Sequence, residues 1–510
     1  MGQPVRSWID DHAARTPGRE AVVDLATGRR LTYAQLSLRV RALAVALRER
    51  GVERGTRVAV LSRNDFRTFE VLYACAHVGA ICVLLNWRLS PDELTAIVTD
   101  ADPLVLLAES WSARTADQLA ETTGIAVRVT WASEADEHDD YEPLTEARDG
   151  AVERFPEVDE DDPWTIIYTS GTTGLPKGVL ATHRNVLASI TGIALAGEVG
   201  PQSRCLTVLP TFHVAGLALF AHPVLLLGGT VVVMRQFDPA RALALLTDTT
   251  EPLTHFCGVP ANFQFMERLD AFRDADFRGV VAAVGGAPVP TALIESWTGH
   301  HASMVTVYGI TEAGATVIAV PAARAVDKNG TIGLPLLHAA CRIRAENGRA
   351  ADPGEVGELQ IRGALVTPGY WRNPEATRTA IGEDGWFGTG DLAVRSADGY
   401  FTVVDRRKDM YISGGENVYP AEVENILHAH PQVSQAAVIG VPDDRWGEVG
   451  LAYVVPAGTQ APAPAELADW CATRLARYKV PARFHLTEEL PRNATGKILK
   501  TELRRLAATS

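Results

Sequence analysis

Apolar positions in the first 150 residues switch repeatedly between two periods. RLTYAQLSLRVRALAVALRERG (30–51) places apolar residues at helical spacing, and Gly51 stands where a helix C-cap belongs. TRVAVLS (56–62) reads as a short buried strand, EVLYACAHVGA (70–80) as a helix and ICVLLN (81–86) as another apolar strand. Strands alternating with helices predict parallel sheets covered on both faces. The longest apolar stretch, Leu217 to Met234, is interrupted by His222, Pro223, Gly228 and Gly229. That pattern predicts a buried helix, turn and strand, with no membrane span.

From Gly357 the texture changes to short strands and turns, GELQIRG (357–363) and DGWFGTGDLAVRSADGYFTVVDRRKD (384–409), which predicts a β-rich subdomain. A compact α+β unit follows Asp409. Pro420 sits where a helix would start, and Val423, Ile426 and Leu427 fall on one of its faces. Strands AAVIGV (436–441) and LAYVVP (451–456) and the amphipathic AELADWCATRLARY (465–478) complete the unit, with PAGTQAPAPAE (456–466) as an internal loop. The acidic runs EADEHDDYE (134–142) and EVDEDD (157–162) read as solvated surface loops.

Charge narrows the partners. A formal charge of −14 over 510 residues disfavours nucleic acid and anionic lipid, so an anionic ligand must be held by a local cluster of donors. Six cysteines (75, 82, 205, 257, 341 and 471) without a Cys-x-x-Cys pair suit reduced thiols and argue against a disulfide framework or a zinc site. MGQPVRSWIDDHAARTPGRE has no apolar core of a secretory signal. The expectation is a cytoplasmic protein with no stable membrane insertion.

The most informative segment is WTIIYTSGTTGLPKG (164–178). The β-branched run Trp164 to Tyr168 predicts a strand that opens into Thr169, Ser170, Gly171, Thr172, Thr173, Gly174, Leu175, Pro176 and Lys177. Glycines let backbone N–H groups turn toward phosphate oxygens, hydroxyls add donors, and Lys177 adds a positive charge. The loop is not Gly-x4-Gly-Lys-Ser/Thr, because Pro176 precedes the lysine and Gly178 follows it. Nor does it match Gly-x-Gly-x-x-Gly.

TSGTTGLPKG resembles the signature loop of the adenylate-forming superfamily, which comprises acyl-CoA synthetases, luciferases and peptide-synthetase adenylation domains. PTFHVAG (210–216), VGGAPVP (284–290), VYGITEAG (307–314), GWFGTGD (385–391), DRRKDMYISGGENVYPAEVE (405–424) and PRNATGKILK (491–500) follow in the order of that superfamily. The likeness spans residues 20 to 505 and is greatest to bacterial fatty-acyl- or aryl-CoA synthetases. It implies an α/β fold with a large N-terminal domain, 1–405, of stacked αβ layers plus the β-rich subdomain. A hinge at 406–409 and a small mobile α+β C-terminal domain, 410–510, would follow.

The resemblance also implies roles. Gly286, Ala287 and Pro288, with Tyr308 and Gly309, would take adenine; Asp391 and Arg406 would take the ribose. The phosphate loop, Thr169 to Thr173 with Lys177, would hold the triphosphate. Glu312, with Thr173, would ligate Mg²⁺, and Thr311 would donate to the α-phosphate. Lys497 would bridge the carboxylate and the α-phosphate, and His213 would wall the site near the reacting carboxyl. Lys408 would be the pivot about which the C-terminal domain turns for the second half-reaction. Gly414 and Gly415 would leave room for a pantetheine tunnel, with Trp446 packing on the CoA nucleotide. Phe212, Gly216, Gly258 and Gly314 would line an apolar acyl pocket, and His222, His255 and Cys257 are polar guests beside it.

The implied reaction is ATP-dependent activation of a fatty or aryl carboxylic acid to acyl-AMP with pyrophosphate release, then transfer to CoA. A second reading sends the activated intermediate to a carrier protein or an amine, with an oxyanion such as nitrite among the substances activated. A third is a catalytically dead acyl or nucleotide sensor, which intact Lys177, Glu312 and Lys497 oppose.

Overall fold

The computed structural model describes residues 7–133, 139–146, 155–169, 176–458, 461–492 and 498–508. The chain divides into two compact units, residues 1–340 with 361–387 and residues 341–360 with 388–510.

The first unit is built on two αβ sheets, as the alternating pattern predicts. One has six strands in the order Val127–Trp131, Val105–Glu109, Arg57–Leu61, Ile81–Leu85, Pro163–Thr169 and Lys177–Thr182. Its first five strands are parallel and the sixth returns antiparallel as a hairpin. The nine-stranded sheet is parallel through its centre, from Ser303–Tyr308 across to Glu20–Asp24, and antiparallel at both edges. A parallel sheet needs both faces covered, which is why Ile81–Leu85 and Val105–Glu109 are buried at every position.

Local signals act where the sequence puts them. Thr32 and Gln35 form a capping box on helix Tyr33–Glu49, and Gly51 beyond its end is left-handed at φ 87°. The apolar stretch at 217–234 folds as helix Ala221–Leu226, a turn at Gly228 and Gly229, and strand Thr230–Val233. Among the described residues no helix is long and apolar enough to cross a membrane.

The acidic run at 134–142 departs from a solvated loop in its described part. Tyr141 is fully buried, its hydroxyl donates to Glu70, and Glu142 accepts from Arg29 and Arg39 at 2.7 and 2.9 Å. Desolvation opposes the Glu142 charge, but the arginines outweigh it and hold the carboxyl down at about 2. The run therefore carries the partner of a partly buried cationic cluster, which charge counting along the chain does not reveal.

Strands Gly357–Arg362, Phe387–Arg395 and Phe401–Arg406 belong to a four-stranded sheet, most of whose residues fall in the second unit. A five-stranded sheet centres on the long antiparallel pair Val433–Asp443 and Gly447–Pro456. Helix Pro420–His428 begins with its proline in the first turn and buries Val423 and Leu427 against Val438, Ala452 and Val454. All six cysteines are free thiols.

Candidate active site

The hairpin Pro163–Thr169/Lys177–Thr182 sets Thr169 opposite Lys177 across the mouth of the glycine-rich loop. The Thr169 hydroxyl donates to the Lys177 carbonyl at 3.4 Å. Ser170, Gly171, Thr172 and Thr173 lie outside the described residues, as does Lys497.

Lys177 emerges half-buried, and its Nζ lies 5.5 Å from the centre of the Tyr370 ring. The Tyr370 hydroxyl donates to Glu312 Oε1 at 2.8 Å. Burial first, and then the Glu312 charge, pushes the Tyr370 phenol well above its ordinary range, so it remains a neutral donor at physiological pH. Glu312 itself sits in the single 3₁₀ turn Thr311–Ala313 that follows strand Ser303–Tyr308. Segment 367–371 ties these pieces together. Trp371 N–H donates to Gly178 O at 2.7 Å, Leu180 N–H to Gly369 O at 3.2 Å, and Thr367 N–H to Glu312 O at 2.8 Å.

Tyr370 is the member of this cluster that sequence reasoning missed. It lies in no motif with the loop or with Glu312, and only an aromatic beside the turn glycine Gly369 marks it in the sequence.

The turn and tyrosine expected at adenine come together at adjoining strand ends. Gly285 pairs with Val307 in parallel register, so the exposed Gly286, Ala287 and Pro288 leave their strand beside half-buried Tyr308. Gly309 follows at a close backbone crossing: a Cβ there would overlap the Ala315 carbonyl oxygen. His213 caps helix Val214–Ala218, with Nδ1 accepting from Ala215 N–H at 3.2 Å.

A narrow cavity of about 30 Å³ is bordered by Glu312 and Gly314 and lined by Val179, Leu217, Ala218 and His222. Gly314 is thus the expected acyl-pocket residue on its wall, whereas Phe212, Gly216 and Gly258 lie elsewhere. Phe212 is buried, Gly216 packs against the Pro210 carbonyl, and Gly258 abuts Asn262 and the core residue Phe263.

The polar guests divide. His255 is satisfied on both nitrogens, by Thr254 Oγ1 at 2.7 Å and Gly197 O at 2.9 Å, and the buried Cys257 thiol is pushed up by desolvation. His222 shares its Nδ1 with the Tyr73 hydroxyl at 3.1 Å and borders the cavity.

In the second unit the two residues expected at ribose are cross-strand partners, Arg406 Nε lying 3.1 Å from Asp391 Oδ1. The Lys408 carbonyl accepts from Arg504 at 3.4 Å, and Arg504 pairs with Asp409 at 2.9 Å. Gly414, at φ 61°, donates its N–H to the Trp446 carbonyl at 2.8 Å. A Cβ on Gly414 would meet the Trp446 ring at 2.9 Å. The ring is 48% exposed, and Arg445 lies 4.8 Å from its centre. Exposed Gly415 completes the turn.

Residues 9–371 match the AMP-binding enzyme family, and residues 422–497 match the AMP-binding enzyme C-terminal domain. The chain belongs to the AMP-binding enzyme family. A feruloyl-CoA synthase of Amycolatopsis sp is 42% identical to it over 99% of both chains. The indoleacetate–CoA ligase of Aromatoleum aromaticum is 36% identical over 98% of both. Among solved structures, the amide bond synthetase McbA of Marinactinospora thermotolerans is 28% identical with a TM-score of 0.88, over 99% of this chain and 100% of its own.

No group of three His, Cys, Asp or Glu side chains converges among the described residues. The single carboxylate of Glu312, held by a phenol on one oxygen, matches a cation that takes one or two carboxylates and completes its shell with phosphate oxygens and water.

His222 also makes a pH prediction for this AMP-binding enzyme. Burial lowers its pKa to about 3. An unfolded imidazole titrates near pH 6.5, so below that the unfolded chain takes up a proton that the folded chain refuses. The stabilisation is complete above about pH 6.5 and declines toward pH 3 by about 1.4 kcal/mol per pH unit. Between pH 7.5 and 5, urea unfolding should show the wild type losing about 2 kcal/mol relative to His222→Gln. Parallel stability curves for the two proteins would reject the buried neutral imidazole.

Proposed function

We propose that this AMP-binding enzyme activates an aryl-bearing carboxylic acid with ATP to the acyl-AMP, releasing pyrophosphate, and transfers the acyl group to CoA. The observation that carries the proposal is the Lys177–Tyr370–Glu312 constellation at the exit of the glycine-rich loop, a cation over the face of one ring and a carboxylate on that ring's hydroxyl.

The chemical problem is to bring a carboxylate oxygen onto the α-phosphorus of a polyanion, so charge neutralisation and alignment dominate. Lys177 and the loop donors Thr169, Ser170, Gly171 and Thr172 would hold the phosphates. Glu312, with Thr173, would hold Mg²⁺, which when bound neutralises phosphate charge. Thr311 would donate to the α-phosphate, and Lys497 would neutralise the meeting of carboxylate and phosphorus. Gly286, Ala287, Pro288 and Tyr308 would enclose adenine, and Asp391 would accept ribose hydroxyls with Arg406 beside it. In the second step a thiolate attacks the mixed-anhydride carbonyl and AMP leaves. Gly414, Gly415 and Trp446 would guide that thiol, with Lys408 as the pivot between steps.

The aryl substrates named for the 42% and 36% identical relatives support an aromatic acid, and a long-chain-fatty-acid–CoA ligase of Mycobacterium tuberculosis, 37% identical over 97% of both chains, makes an alkyl acid the alternative. The likeness to an amide bond synthetase favours one second reading, in which an amine intercepts the acyl-AMP. A carrier-protein thiol would react in the same way as CoA.

The test is a panel of hydroxycinnamic, indolic and fatty acids with ATP and Mg²⁺, offered CoA or amines, with products read by mass. Aryl-CoA and AMP are expected. Amide in place of thioester would replace the acceptor, and absence of AMP with every acid would end the proposal.

Lys408→Pro provides a separate check. A fixed φ at the pivot should spare adenylation yet slow thioester formation at least about tenfold. Unimpaired CoA turnover in that variant would reject Lys408 as the pivot.

A further inference from the structure

Lys177 and Glu312 are opposite charges joined through a single side chain. Each touches Tyr370, and among the described residues neither forms an ion pair. Two such groups on flexible stems would collapse onto one another if nothing stood between them, and a paired cation and carboxylate would have to be separated before either could engage a ligand.

The tyrosine is fixed from both sides. Its own N–H donates to Thr377 Oγ1 at 3.0 Å, and its backbone bridges to Val179 on the strand that carries Lys177. Next to it, Trp371 is bonded to Gly178. Thr367 bonds Leu180 O through its hydroxyl at 2.5 Å and Glu312 O through its N–H at 2.8 Å. Segment 367–371 is thus anchored to the strand behind Lys177 and to the turn bearing Glu312. The ring offers its negative face to the ammonium and its hydroxyl to the carboxylate, two contacts that an aliphatic residue cannot make together.

We propose that Tyr370 is a positioning residue that keeps Lys177 and Glu312 apart, so that the cation meets triphosphate oxygens while the carboxylate faces the metal that accompanies them. The inference rests on the functional reading above and adds to it a residue that acts through two others. With the hydroxyl removed, Glu312 loses its fixed orientation and can swing toward Lys177. With the whole ring removed, Lys177 loses its support as well.

The test uses the full chain, ATP and no acid, so that no turnover occurs. Isothermal titration calorimetry is run in MgCl₂ and, separately, in EDTA. Tyr370→Phe should weaken ATP binding about tenfold in MgCl₂, the scale of one hydrogen bond to a charged group, and leave binding in EDTA unchanged. Tyr370→Leu should weaken binding in both buffers. In a Glu312→Gln background, Tyr370→Phe should add nothing, because its effect passes through the carboxylate. Unfolding midpoints matching wild type confirm that the phenylalanine variant is folded, and the Glu312→Gln pair supplies the same comparison without it.

Equal weakening of Tyr370→Phe in the two buffers, or MgCl₂ binding equal to wild type, overturns the inference alone. Wild-type protein that binds ATP in neither buffer overturns the functional reading with it.

Discussion

Replacing Lys497 by alanine should cut adenylation by roughly 10²–10³, the scale for losing one preorganised charge that stabilises a transition state. Thioester formation from supplied acyl-AMP should survive. The asymmetry follows from the chemistry of the two steps. Adenylation joins two anions, and a cation bridging them acts chiefly in the transition state, where negative charge gathers at the α-phosphorus. Thiol attack on a mixed anhydride meets a neutral, activated carbonyl and has no comparable need. Pyrophosphate exchange and single-turnover thioester formation, measured on one preparation, separate the steps. Equal losses in both would show that Lys497 acts on the fold or in both steps, and the bridging role would fall.

The second large effect is expected at Gly309. A methyl group there would overlap the Ala315 carbonyl, and that overlap is backbone on backbone, so no rotamer relieves it. Ala315 itself already sits at φ 83°, and its N–H is engaged by the Ile310 carbonyl, which leaves the loop little freedom to retreat. Gly309→Ala should therefore lower stability by about 3 kcal/mol. The same shift would displace Thr311 and Glu312, two and three residues along, and a displacement near 1 Å costs roughly 10² in rate. Urea unfolding and adenylation rate report the two effects separately. A variant with wild-type stability and rate would show that the crossing of 309 over 315 is not needed.

The sequence made some of this legible and hid the rest for identifiable reasons. The αβ alternation, the break at 217–234 and the helix start at Pro420 follow from periodicity and capping, which are local, and each appears as read. The convergence of Gly286 to Pro288 with Tyr308 comes from parallel strand register and was carried only by motif resemblance. Tyr370 was invisible because its partners, Lys177 and Glu312, come from distant segments and meet it only through strand pairing and the Glu312 turn. Glu142 misled for a related cause. A run of acids looks solvated until the fold brings Arg29 and Arg39 against it. His222 and His255 were alike as sequence, two histidines in apolar surroundings. Only hydrogen-bond accounting shows that one is occupied on both nitrogens while the other reaches the cavity.

The central claim is that the carboxylate oxygen of the acid bonds to the α-phosphorus of ATP. An acid labelled with ¹⁸O in its carboxylate, turned over with ATP, Mg²⁺ and CoA, traces that bond directly. One labelled oxygen should leave with AMP while the other stays in the thioester. Unlabelled AMP, or label recovered in phosphate or pyrophosphate, would contradict the account.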